Sequence, residues 1–259
     1  MKLWRILASS AALSLVLVAT SEAQWQHIIE TQLKPGQDAE YEALVKAVKE
    51  AADKVGSNMN WAVFQVVAGK QTPTYRIVLP YEKWADREGW ESALSVLAKA
   101  HGEAEAKRMW EKLTSMAVSS TAEIWQGIPE GSANVPTSGS PANFYDVTVR
   151  TILRGHADEY RAAQRTFKKA YEAMPTKPVV IRSVLAFGDN ANQKFRRAEA
   201  FSKFGEMDSF GLRRLRDQMG EDLDPLVDRL GEIVVNTEHF ISAYRPDLSR
   251  MTGGTTSNN

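Results

Sequence analysis

A chain of 259 residues with 32 basic and 32 acidic side chains has no net field to draw it to nucleic acid or an anionic membrane surface. It contains no cysteine, which excludes disulfides, thiol nucleophiles and thiolate metal sites. Its fold must rest on its apolar core, and the length suffices for one large or two small domains.

The first 23 residues read as an export leader. Lys2 and Arg5 precede an apolar run from Ile6 to Val18, and Ser21-Glu22-Ala23 offers small residues at a cleavage point. The run is shorter than the roughly 20 residues a bilayer crossing needs. The expected location is therefore the periplasm or the medium, with no lipid or membrane anchor.

The remainder is organised as an internal repeat. Gly36-Gln37-Asp38-Ala39-Glu40-Tyr41 recurs as Gly155-His156-Ala157-Asp158-Glu159-Tyr160. Tyr41, Leu44, Val48, Ala52 and Val55 then mark one helical stripe, and Tyr160, Ala163, Phe167, Tyr171 and Met174 mark its copy. The β-rich stretch from Trp61 to Gly69 matches that from Val180 to Gly188. Tyr75-Arg76 matches Phe195-Arg196. A second helical region follows in each half, broken at Gly102 and at Gly220, and each half closes on a strand, near Thr121 to Gln126 and near Glu238 to Tyr244.

Each half therefore reads β-α-β-β-α-β, at 24–126 and 144–247. The Gly-, Pro- and Ser-rich segment 127–143 reads as a linker, and 248–259 as a disordered tail. The expected class is α+β, two tandem ferredoxin-like units. Trp61, Val63 and Val67 alternate with Ala62, Phe64 and Val66, so both faces of the strand are apolar. The sheets of the two units are thus expected to face each other. One chain would complete such a pair, as a monomer or a homodimer.

With its paired β-α-β-β-α-β order and its strand-Gly-x-x-x-x-Tyr-helix starts at Gly36 and Gly155, the chain resembles the dimeric α+β barrel superfamily. That superfamily includes antibiotic-biosynthesis-type monooxygenases, haem-degrading oxygenases, NIPSNAP-like proteins and chlorite-dismutase-like haem enzymes. The resemblance implies the fold and constrains the activity weakly.

Two sets of residues are candidates for function. Where the first half has Thr31, Val63, Ile77 and Leu79, the second has Arg150, Arg182, Arg197 and Glu199. Strand alternation gathers these four on one face of the second sheet, expected to look into the barrel while Ile181, Leu185 and Phe187 pack on the helices. Buried guanidinium groups point to a small, perhaps anionic, ligand held by Arg forks, or to a structural ion-pair network. The second candidate is His101, on the apolar stripe of a helix in the first half. In haem-handling relatives a helical histidine can ligate iron, although the chlorite-dismutase-like ligand lies in the C-terminal unit, where this chain has Met219. Asn60, Trp61, Tyr75, Tyr81 and Trp84 resemble the aromatic pockets of cofactor-free oxygenases. The leading expectation is a small-molecule binding or interaction module without a resident cofactor. An oxidoreductase of the monooxygenase or haem type is the alternative, and a purely structural repeat protein a third reading.

Overall fold

The computed structural model describes residues 24–136 and 141–251. The leader at 1–23 and the stretch from Thr252 lie outside the described residues. In chain order the first half comprises β1 (Trp25–Leu33), α1 (Asp38–Lys54), β2 (Ala62–Ala68), β3 (Thr74–Tyr81), α2 (Ala93–His101), α3 (Glu103–Ser115) and β4 (Ala117–Gly127). The second comprises β5 (Phe144–Ile152), α4 (Ala157–Ala173), β6 (Val180–Phe187), β7 (Lys194–Phe201), α5 (Leu212–Met219), α6 (Leu223–Ile233) and β8 (Val234–Tyr244).

Local chemistry explains the helix ends. Gly36 and Gly155 turn the chain at φ 77° and 91°, left-handed values open to glycine, just before α1 and α4. Acidic Asp38 and Glu40 occupy the first turn of α1, where the helix dipole favours them. The Ser92 hydroxyl accepts from the Ser95 amide and caps α2. Gly102, at φ 87°, then separates α2 from α3.

The strands form a closed antiparallel barrel in the order β1-β3-β2-β8-β5-β7-β6-β4. The two sheets do more than face each other. Their edges hydrogen-bond through β2 with β8 and through β4 with β6, which removes every exposed edge. Both seams carry a register shift, between Val66 and Ala68 and between Ile124 and Trp125. Such bulges sharpen the bend that closure requires.

Three cores result. Tyr41, Val48, Trp61, Val63, Tyr75 and Leu79 pack with Val96 and Leu97 between sheet and helices of the first half. Tyr160, Phe167, Tyr171, Val180, Val184 and Phe195 pack with Leu215 and Leu230 in the second. Ile28, Val66, Val78, Trp125, Val147, Leu185 and Phe240 fill the barrel.

Several expectations need correction. The segment read as a linker is partly packed: Ile128 and Ala133 are buried, and Ala133 bridges Val180. The start of the supposed tail is also structured. Leu248, Ser249 and Arg250 are buried against the first half, Arg250 bridges Trp61, and the Trp61 indole donates to the Leu248 carbonyl at 2.9 Å. Apolar Leu248 and the exchange of backbone hydrogen bonds outweigh the polar character of the surrounding sequence. The closing strands β4 and β8 begin four residues earlier than expected.

Candidate functional site

Arg150 on β5, Arg182 on β6 and Arg197 on β7 do share one face of the second half, as alternation requires. Arg182 pairs with Arg197 across the strands, and Thr148 with Arg197. The face is the reverse of the one expected. It looks toward the helices, while Ile181 and Leu185 look into the barrel and Phe187 is exposed. The reason is parity. Val180 and Val184 share the face of Arg182, and both belong to the core beneath α4.

Between this sheet face and the helices lies a cavity of about 330 Å³. Arg150, Arg182, Arg197, Thr148 and Thr237 form its sheet side. Tyr160, Phe167 and Tyr171 of α4, Leu215 of α5, and Val227 and Leu230 of α6 supply the opposite wall. An arginine floor under an apolar, partly aromatic roof results. In the first half the same space is filled by Val63, Ile77 and Leu79 against Val96 and Leu97.

The guanidiniums are unequally satisfied. Arg197 donates to Asp146 at 2.5 Å, lies 3.5 Å from Glu199, and reaches the Tyr171 hydroxyl at 3.5 Å. Glu199 is fully buried and also takes Arg214 at 3.1 Å. Burial pushes the Glu199 carboxyl up, and the Arg197 and Arg214 charges oppose that shift. Asp146 further contacts the half-exposed ring of His239. Arg150 and Arg182 differ: among the described residues no carboxylate lies within 4 Å of either. Arg182 is only 4% exposed, its Nε has no partner, and its guanidinium carbon sits 5.9 Å from the Phe167 ring centroid. Burial holds its pKa below the ordinary value. Beside it the Gln164 amide, 1% exposed, has neither end paired.

Four arginines thus surround two carboxylates, a surplus of positive charge in a low-dielectric site. Buried charge of this kind is costly without a counter-charge.

The fold has been seen before, although no family model and no curated protein sequence matches the chain. A monooxygenase candidate from Lactobacillus acidophilus NCFM superimposes with a TM-score of 0.53 at 8% identity, covering 85% of this chain and 93% of its own. A second, from Fusobacterium nucleatum subsp. nucleatum, gives 0.53 at 11%, covering 85% and 91%. A mutant chlorite dismutase from Candidatus Nitrospira defluvii gives 0.51 at 10%, covering 88% and 94%. The fold is that of the dimeric α+β barrel. In this α+β barrel both sheets come from one chain, so the barrel closes without a partner.

The cavity does not offer haem an axial ligand of the usual kinds. Its lining holds no imidazole, thiolate or thioether, and Tyr160 and Tyr171 are its phenolic oxygens. His101, the sequence candidate for an iron ligand, is exposed at the end of α2 in the other half. The stripe argument failed there because the buried face of α2 runs through Ala93, Val96, Leu97 and Ala100, while Leu94 and His101 lie on its exposed side. The residues present do not fit a histidine-ligated haem. The supposed aromatic oxygenase set is dispersed as well. Trp61 is held by the C-terminal segment and Tyr75 by Glu42 at 2.6 Å, while Tyr81 and Trp84 meet edge to face.

Asp146, Tyr160, Tyr171 and Arg214 were missed in the sequence. Alternation along Asp146-Val147-Thr148-Val149-Arg150 does place Asp146 beside Arg150. The tyrosines occupy the helical stripe and read as core. Arg214 gave no local signal.

Proposed function

We propose that the second-half cavity binds a small organic anion with an apolar or aromatic body, and that the protein does so outside the cytoplasm. The carrying observation is Arg182, buried at the cavity floor with no carboxylate within 4 Å. The repeat supports two ferredoxin-like units fused in tandem, of which the second traded apolar core for charge. The leader sequence supports export. Arg150 and Arg182 would engage the anion, while Arg197 is held in place by Asp146 and Glu199.

Titration calorimetry with salicylate on the mature chain tests this. Binding that disappears in Arg182→Met, with the fold retained by circular dichroism, supports it. Equal binding in wild type and variant refutes it.

A second reading, an oxidoreductase of the monooxygenase type, is favoured by the shared fold of the two monooxygenase candidates. Here the arginines would keep an electron-rich aromatic substrate ionised. Oxygen uptake with 1,4-dihydroxy-2-naphthoate, lost in Arg182→Met, would establish it. No uptake above the protein-free rate would leave binding alone.

A further inference from the structure

The barrel interior holds a second pair of arginines that the cavity above does not use. Arg76 on β3 and Arg196 on β7 occupy the same position of the two repeats. β3 and β7 stand four strands apart either way around the barrel, on opposite walls. Both side chains point inward. Arg76 packs over Phe240 at 4.9 Å and Arg196 over Trp125 at 5.1 Å, both rings belonging to the interior core. The residues are 6% and 5% exposed; the Arg76 Nε lies 3.2 Å from a Glu30 oxygen, whereas the Arg196 Nε lacks a partner. Together with Gln26, Tyr145 and Ser242 they line a cavity of about 70 Å³.

Charge around this cavity does not balance. Glu30 takes Arg76 at 3.2 Å and Lys70 at 2.7 Å, Glu238 takes Lys70 at 3.1 Å, and Glu123 takes Lys194 at 2.9 Å. Arg196 is left over. Its Nη2 donates to the neutral Gln26 amide, and among the described residues no carboxylate lies within 4 Å. Two inward guanidiniums from opposite walls, one without a counter-charge, form a cleft too small for an organic body and suited to a few heavy atoms.

We propose that the barrel interior binds a small inorganic monovalent anion, such as chloride or nitrate, between Arg76 and Arg196. The guanidiniums supply charge-assisted donors, as Arg forks do elsewhere. Tyr145 and Ser242 stand at the same cavity. An eight-stranded barrel encloses space for side chains or one small ligand, and this interior has both. Burial and the Arg76 charge hold the Arg196 pKa down to about 9, so an anion would relieve a strained cation. Gln26 and Ile181 also border a larger cavity of about 830 Å³.

The test uses the mature chain and bromide as probe. Crystals soaked in sodium bromide should show an anomalous peak between the two guanidiniums. Absence of a peak there overturns the proposal. In solution, the excess 35Cl linewidth that the protein imparts should be quenched by nitrate. It should fall in Arg196→Gln, and reach background only when Arg182→Gln is added, since Arg182 presents a guanidinium to the other cavities. Loss in Arg182→Gln with retention in Arg196→Gln also overturns it. Should Arg196→Gln fail to fold, the bromide crystal decides alone.

Discussion

Arg182 stands on β6 where Val63 stands on β2, each beneath the first long helix of its half. One barrel thus compares two solutions at the same position. Val63 closes an apolar core. Arg182 opens a cavity and leaves a guanidinium with nothing to pair it.

Replacing Arg182 by methionine, similar in length and uncharged, should leave stability unchanged or raise it by about 1 kcal/mol, since a buried unpaired charge is removed. Urea unfolding measures this. A loss of 2 kcal/mol or more, on the order of a broken buried pair, would make Arg182 a structural residue.

Glu199→Gln should act oppositely. The carboxylate is fully buried and serves both Arg197 and Arg214. Its neutral isostere removes the charge that Arg214 and Arg197 share, although Asp146 stays on Arg197, at a cost of about 3 kcal/mol. Thermal and urea unfolding should both show it. A variant as stable as wild type would mean that solvent or a ligand already satisfies those arginines.

Gly69→Ala should weaken the β2–β8 seam. Gly69 has φ 89°, and a Cβ there would meet the His239 carbonyl oxygen at 2.3 Å, backbone that cannot swing away. Gly36→Ala, also at positive φ but facing open space, carries strain alone, about 1 kcal/mol. Gly69→Ala should exceed it by about 1 to 2 kcal/mol. Amide exchange should localise the extra loss to β2 and β8, and equal losses would refute the contact argument.

Acid should loosen the C-terminal segment. Hydrogen bonds from Arg245, with help from Lys46, hold the Asp247 carboxyl down to about 2, below its ordinary 3.8. Arg245 also lowers Glu42, to which its Nη2 donates at 2.7 Å. Depressed carboxyl pKa values stabilise the fold above their unfolded values, and that stability fades as pH falls through 3.8 toward 2. Amide exchange across Arg245–Arg250 should therefore speed up between pH 5 and pH 2.5 relative to the barrel strands. Arg245→Met should abolish most of the difference. Unchanged relative protection would show that Leu248 and the Trp61 bridge hold the segment alone.

The sequence by itself determined the order of the elements and the starts of α1 and α4, because helical stripes and turn glycines are local signals. It also singled out Arg150, Arg182, Arg197 and Glu199 and placed them on one face, since alternation along a strand is local too. Which face that was could not be read. Apolar and charged residues stand on both faces of these strands, and only the packing of α4 on Val180 and Val184 decided it. His101 misled for a related reason: overlapping apolar stripes run along α2, and only the packing of Val96, Leu97 and Ala100 on the core showed which one is buried. The barrel's closure, the C-terminal segment on Trp61 and the meeting of Arg76 with Arg196 join residues far apart in the chain. Only the folded barrel, with β3 and β7 on opposite walls, brings those two charges into one small cavity.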